Sequence, residues 1–411
     1  MGLRWRDRLW NAFTGGKPVS EGEFRRQSKE LWDATPVPRI GMLGKTGSGK
    51  TSVVRALTGA ERAEIGQGYR PTTRLMSRYD FPSSDNPLVS FLDTRGLGEA
   101  DYDATAGLAE FSEQTHLIIV TVRAMDHAVS EVLEPLQAIR RATPDRPVLL
   151  ALTALHDADP RSQHPDPDPF GAESHPLPDS LSEPLRRSLQ HHYEVFDGLF
   201  DRAVPIDLTQ PDDGYENTNF GLNRLQEAVL ELLPAAYRQT LVQLEAARLE
   251  LGDGRHRQTL PLILAHSTLA GTAAAVPVPW IDIPFVLAIQ THLAYRLAHH
   301  YGQPLDQATV ARVSSALGGR IALRMAVREV LKVIPWVGMA ASAALGFSFT
   351  FAAGLAWDWY FQQVRVNRVP SADELRDVFQ QELARGAALW QATRESDGTE
   401  APLQTDKPRS Q

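Results

Sequence analysis

Between residues 37 and 233 short apolar runs alternate with longer stretches of mixed polarity. Residues 39–43, 88–92, 117–122, 148–152 and 204–208 are each brief and rich in Val, Ile or Leu. Continuous apolar runs of that length suit strands buried on both faces of a parallel sheet. Residues 51–57 and 129–141 suit helices, and the alternation predicts an α/β domain over residues 37–235. One stretch breaks the pattern. Residues 157–179 contain Pro160, Pro165, Pro167, Pro169, Pro176 and Pro178 and read as a mobile surface insertion. His164 and His175 within it do not make a metal site by themselves.

After Leu233 the pattern changes. Residues 237–251 predict a linker helix within 236–258, and residues 259–370 hold no convincing strand. Ala, Leu, Gly and Val dominate there, with Pro277, Pro279, Pro284 and Pro335 as breakers. This predicts a second, all-helical domain. Residues 371–394 form one more amphipathic helix, opening on Ser371, Asp373 and Glu374, within a C-terminal segment 371–411 that ends in a polar tail. At the other end, within residues 1–36, Leu3, Leu9, Trp10 and Phe13 can share a helix face beside Arg4, Arg6 and Arg8. That face suits either packing on a domain or a membrane interface. It lacks the apolar core of a secretory signal, and Arg6 stands where a myristoylation site wants Ser or Thr.

Two readings of the helical region stay open. From Val333 to Trp357 no charged residue occurs, long enough to span a bilayer. Gly338, Ser342, Gly346, Thr350 and Gly354 recur every fourth position, a stripe that favours close helix packing. Arg320, Arg324, Arg328 and Lys332 lie on one face just before it, as on the cytoplasmic side of a span. Residues 260–289 are also apolar but are divided by Pro277, Pro279, Asp282 and Pro284. The alternative is a buried helix in a bundle, since alanine-rich helices pack well in soluble cores.

Composition narrows the field. At 411 residues the chain is long enough for two domains, and 43% hydrophobic with 22% charged residues marks it as globular. A net charge of −8 argues against a nucleic-acid partner. There is no cysteine, which excludes disulfides and thiolate metal sites and agrees with a reducing, cytoplasmic setting.

The chemistry sits in the first domain. Gly44-Lys45-Thr46-Gly47-Ser48-Gly49-Lys50-Thr51, followed by Ser52, matches the Walker A pattern between a predicted strand and a predicted helix. Gly47 and Gly49 let backbone N–H groups turn inward around a β-phosphate at a helix N-terminus. Lys50 would bridge β- and γ-phosphates, and the Thr51 hydroxyl would ligate Mg²⁺. Asp93-Thr94-Arg95-Gly96 closes the run at 88–92. There a carboxylate can hold a magnesium-bound water, and the Gly96 N–H can meet the γ-phosphate. Between them, Thr73 in Arg70-Pro71-Thr72-Thr73-Arg74 is the first choice to complete magnesium coordination, with Thr72 the alternative.

This order of motifs resembles the translation-factor-related class of P-loop GTPases. The loop text itself is similar to that of septin-like, plastid-import-receptor-like and immunity-related GTPases. The resemblance covers residues 37–235 and implies GTP as substrate, Mg²⁺ as cofactor, and Lys50, Thr73 and Gly96 as catalytic residues. The helical region resembles the C-terminal domain of YcjF-type bacterial proteins in three passages. They are Val276-Pro-Val-Pro-Trp-Ile-Asp-Ile-Pro284, Tyr301-Gly302-Gln303-Pro304-Leu305 and Ile334-Pro335-Trp336-Val337-Gly338.

Departures from the GTPase pattern shape the expectations. The guanine-reading Asn-Lys-x-Asp is replaced by Thr153-Ala154-Leu155-His156-Asp157. Asp157 is sited to accept hydrogen bonds from guanine, His156 could stack on the base, and Thr153 completes the candidate set; the usual lysine is missing. No final guanine loop is legible near Thr209. Leu97 stands where a water-orienting glutamine would follow Gly96, leaving Arg70, Arg74 and Arg95 as local cations. The expectation is a slow GTPase switch, accelerated by a homodimer across the nucleotide face or by another protein. It would act through an unidentified effector at the inner membrane, or else as a GTP-regulated assembly protein with a buried bundle.

Overall fold

The computed structural model describes residues 26, 37–61, 65, 68, 70–71, 76–94, 104–158, 163–171, 176–234, 237–251, 256, 258–275, 282–303, 305, 309, 313, 317 and 339–396. They divide into two compact units. One holds the described residues from 37 to 244 with 251–265; the other holds 245–250 and those from 266 onward.

The first unit is a seven-stranded sheet flanked by helices. Its strands are β1 (Arg39–Leu43), β2 (Arg70–Pro71), β3 (Met76–Phe81), β4 (Val89–Thr94), β5 (Leu117–Arg123), β6 (Val148–Thr153) and β7 (Arg202–Pro205). Their order is β2-β3-β4-β1-β5-β6-β7. The pairs β4–β1, β1–β5, β5–β6 and β6–β7 are parallel. Only the β2–β3 and β3–β4 pairs run antiparallel. The apolar runs explain the centre of this sheet: every residue of β6 is buried, as a strand covered on both faces requires. β3 reads differently. Arg78 and Asp80 alternate with buried Ser77, Tyr79 and Phe81, and Arg78 pairs with Asp80 at 2.7 Å. Such alternation marks a strand with one wetter face, and it hides from a search for continuous apolar runs.

Helices α1 (Lys50–Thr58), α2 (Ala104–Gln114), α3 (Ser130–Ala142), α4 (Glu183–Val195) and α5 (Leu222–Leu232) accompany the sheet. Ile119, Val120, Leu136, Leu150 and Phe196 are fully buried in its core. Of the proline-rich stretch, residues 157–158, 163–171 and 176–179 are described, and most of them are exposed. In its described part Phe170 is only 7% exposed and Arg224 ion-pairs with Asp168. The His164 ring stacks on Tyr215 and Phe220 and approaches Asp207 at 3.3 Å. Pro165, Pro167 and Pro176 are exposed, so these contacts anchor a coil that otherwise lies on the surface. His175 lies outside the described residues, and no cluster of metal-ligating side chains occurs among the described ones.

Helices α6 (Gln239–Leu251), α7 (Leu260–Ala275), α8 (Asp282–His300), α9 (Met339–Arg365) and α10 (Ala372–Ser396) follow, with no strand among the described residues after β7. Of the uncharged stretch, residues 339–357 lie in α9 and 333–338 outside the described residues. No helix among the described residues is long and apolar enough to cross a membrane. The small-residue stripe does seat one helix on another. A Cβ at Gly346 would come 2.6 Å from the Ala270 carbonyl oxygen, so only glycine lets α9 approach α7 there. Thr350 accepts a hydrogen bond from Gln290 on α8 at 3.2 Å. Gly338 of the stripe, and the whole basic flank 320–332, lie outside the described residues. Farther along α9, fully buried Asp358 accepts from the Tyr301 hydroxyl at 2.8 Å and from Gln362 at 2.8 Å.

Candidate functional site

Ligands of open parallel sheets bind beyond the carboxyl ends of the strands, and the candidate residues gather there. The chain leaves β1 at Leu43, turns through Gly44–Gly49 and enters α1 at Lys50. Gly47 and Gly49 have φ of 79° and 98°, left-handed values that side-chain-bearing residues resist. Lys50 folds over this loop, its Nζ donating to the Gly44 carbonyl at 2.5 Å and the Lys45 carbonyl at 3.0 Å. Burial lowers its pKa while the Asp93 carboxylate works against that, so an ammonium sits half-buried within the field of Asp93.

Two threonines at or near the carboxyl ends of β5 and β6 hold the loop. Thr121 of β5 shares a 2.6 Å hydrogen bond with the Ser48 hydroxyl, and Thr153 of β6 donates to the Ser48 carbonyl at 2.8 Å. Ser48 and Thr153 are thus buried supports that shape the loop. Thr46 is exposed, and Ser52 is half-buried on α1. Lys45 ion-pairs with Asp126 at 2.8 Å. That bond, chiefly, pulls the Asp126 carboxyl below its ordinary range.

On the metal side, Thr51 is half-buried in the first turn of α1. Asp93, near the end of β4, is paired in register with Met42 of β1. A hydroxyl and a carboxylate flanking Lys50 are hard oxygen donors of the kind Mg²⁺ takes, and they fit that ion. Thr73 and Gly96, with Thr72, Arg74, Arg95 and Leu97, lie outside the described residues. Arg70 is exposed and bonds Ser84 at 3.2 Å.

On the base side, β6 runs into a short 3-10 turn, Leu155–Asp157. Asp157 does accept cationic hydrogen bonds, but from a residue outside the guanine-reading segment. Arg123, the last residue of β5, donates Nη2 and Nε to Asp157 Oδ2 at 2.5 and 3.1 Å. Its Nη1 reaches the Gly47 carbonyl at 3.4 Å. His156, expected to stack on a base, is tethered away from that role on one edge. Its backbone N–H and its ring Nδ1 meet Asp207 at 2.7 and 2.8 Å. Asp207, 2% exposed, lies just past β7, where no guanine loop was legible. The signal for Arg123 was positional: a charged residue at the carboxyl end of a strand adjoining the phosphate-loop strand.

The corner that carries Arg123 is held firmly. The Ala124 N–H donates to the Thr153 carbonyl at 2.7 Å and the Asp126 N–H to the Arg123 carbonyl at 3.0 Å. From α4, the Ser188 hydroxyl and His192 Nε2 both donate to the Ala124 carbonyl, the latter at 2.9 Å. Burial lowers the pKa of His192, which keeps the imidazole neutral and a one-sided donor.

Comparison with known proteins agrees with this geometry. Residues 39–154 match the family model described as 50S ribosome-binding GTPase. Over 144 residues the chain is 25% identical to a protein of Magnetospirillum gryphiswaldense named Magnetosome membrane protein 22. That alignment takes in 33% of this chain and 74% of the relative. The sheet unit is therefore similar to P-loop GTPase domains, and the match supports GTP binding and hydrolysis in general. It ends before His156 and Asp157, and it does not extend to the YcjF-like passages.

Proposed function

We propose that this protein is a Mg²⁺-dependent GTP-binding and GTP-hydrolysing switch. The observation that carries the reading is the Gly44–Gly49 loop between β1 and α1, with Lys50 folded over it in the field of Asp93 and Arg123 joining it to Asp157. The loop lies on a sheet whose residues 39–154 match a GTPase family. With triphosphate bound, Lys50 would exchange the carbonyls of Gly44 and Lys45 for β- and γ-phosphate oxygens. Thr51 and Asp93, with Thr73, would hold Mg²⁺, which supplies charge neutralisation on the phosphates. Leu97 in place of a glutamine supports slow turnover until a second copy or another protein completes the site. Displacement of fluorescent GTP by unlabelled GTP and ATP, with and without EDTA, tests this. Preference for GTP that weakens on chelation is expected; equal displacement by ATP would overturn the guanine reading.

The helical unit is the candidate effector end of the switch. Action at the inner membrane is supported by the uncharged stretch 333–357 and by the printed name of the relative. A bundle that engages a protein effector is supported by the seating of Gly346 under Ala270. Carbonate washing of membranes from expressing cells separates the two placements, since only an integral anchor survives it.

A further inference from the structure

The guanine-reading segment of this chain has no cation of its own. Thr153-Ala154-Leu155-His156 offers none before Asp157 except a histidine tied to Asp207. The structure supplies a cation from elsewhere. The Arg123 guanidinium is a planar fork with five N–H donors. It spends Nε and Nη2 on one oxygen of Asp157 and extends Nη1 to the carbonyl of Gly47. It thus touches both loops that a nucleotide would join: the loop for the phosphates and the turn for the base.

The pair is a poor stabiliser of the fold. The Arg123 side chain is 42% exposed and that of Asp157 28%, so water screens their attraction. Yet the backbone beneath Arg123 is fixed at every turn. The buried Ser188 and His192 hold the Ala124 carbonyl, Thr153 holds the Ala124 N–H, and Lys45 holds Asp126. A firmly anchored corner that presents an exposed arginine to two ligand loops points to positioning.

We infer that Arg123 sets base selectivity, by fixing the Asp157 carboxylate relative to the phosphate loop. This rests on the reading of the site as a GTP site. A carboxylate offers about four lone-pair sites on two oxygens. Arg123 takes sites on Oδ2, and His156 Nε2 lies 3.5 Å from Oδ1; the sites left over on the two oxygens can accept the ring N–H and the exocyclic amine of guanine. Without the arginine, the carboxylate loses the two hydrogen bonds that orient it. Discrimination between bases then falls together with affinity.

The test is competition of GTP, ITP and ATP against fluorescent GTP, in the wild type and in Arg123→Ala and Arg123→Lys. ITP lacks only the exocyclic amine. The wild type should prefer GTP to both competitors. Arg123→Ala should lose about tenfold in GTP affinity, the scale of a charge-assisted hydrogen bond. Its GTP-to-ITP preference should narrow, while its thermal melting stays at the wild-type value. Arg123→Lys, which keeps the charge, should recover part of the preference. An Arg123→Ala variant that binds GTP as tightly as the wild type or more tightly, with its ITP preference intact, would overturn the inference. Arg123 would then be a plug that nucleotide displaces. If the wild type itself fails to distinguish GTP from ATP, the GTP reading fails first.

Discussion

The two units use buried polar groups for opposite ends. In the sheet unit several of them support the candidate site: Thr121 and Thr153 shape the phosphate loop, and Ser188 and His192 fix the corner that carries Arg123. In the helical unit they point at each other. Asp358 closes on Tyr301 and Gln362, and Gln290 on Thr350. Burial and the facing carboxylate push the Tyr301 phenol well above its ordinary range, so it stays a neutral donor. The lesson is that polarity inside a core signals function only when its hydrogen bonds terminate on a loop that is open to a ligand. Where they terminate within the bundle, they specify packing.

The largest effect that would sharpen this contrast comes from Lys50. Lys50→Ala removes the cation at the centre of the loop and should cost at least 100-fold in triphosphate affinity, about 3 kcal/mol. Fluorescent-GTP titration measures it. Hydrogen exchange in α9 and α10 should stay unchanged. Retained affinity would mean that the loop is not the phosphate site, and the contrast between the units would collapse.

Next comes Gly346→Leu. The side chain must enter space where even a Cβ meets the Ala270 carbonyl at 2.6 Å. Overpacking of this kind costs about 1–3 kcal/mol. Faster amide exchange across α7 and α9, with GTP affinity unchanged, is the expected outcome. Unaltered exchange would show that the stripe is not a packing line. Lost GTP affinity would show that the units answer to one another.

What was legible in the sequence follows the same divide. The central strands showed because burial on both faces leaves continuous apolar runs, as in β6. The Walker A loop and Asp93 stood out because a phosphate loop and a strand-end carboxylate carry fixed residue types at fixed places. β3 was missed because Arg78 and Asp80 interrupt its apolar positions, and it is the strand shared by both antiparallel pairs. Arg123 was missed because its partners Gly47 and Asp157 are distant in sequence, and only the parallel register of β5 with β6 brings them together. In the helical unit alanine and glycine serve a core and a bilayer equally well, so composition left both readings standing. The Gly346–Ala270 approach is a tertiary fact that no local pattern encodes.

The smallest effect is a pH response confined to the sheet unit. His116, just before β5, is 8% exposed, and its ring lies 3.6 Å from that of Tyr237. Its Nδ1 accepts the Arg39 backbone N–H at 3.0 Å, so protonation there would break a bond to β1. Burial, then the charges of Arg39 and Arg146, lower its pKa to about 4. The unfolded chain protonates this histidine near pH 6.5, before the folded chain does. Its contribution is therefore fully present above about pH 6.5 and is lost as pH falls from there towards 4, with no further change below. The loss is on the order of 2 kcal/mol, after discounting for residual contact with water. His192, lowered by burial, acts with the same sign, so replacing His116 removes only part of the response. Amide exchange of β1 and β5 peptides at pH 7.5 and 5, compared between wild type and His116→Asn at each pH, isolates the effect. The wild type should lose more protection on acidification than the variant, and the α9 peptides of both should respond alike. Equal losses in β1 and β5 would remove His116 as the source, and a matching difference in α9 would mean that acid sensitivity does not distinguish the two units.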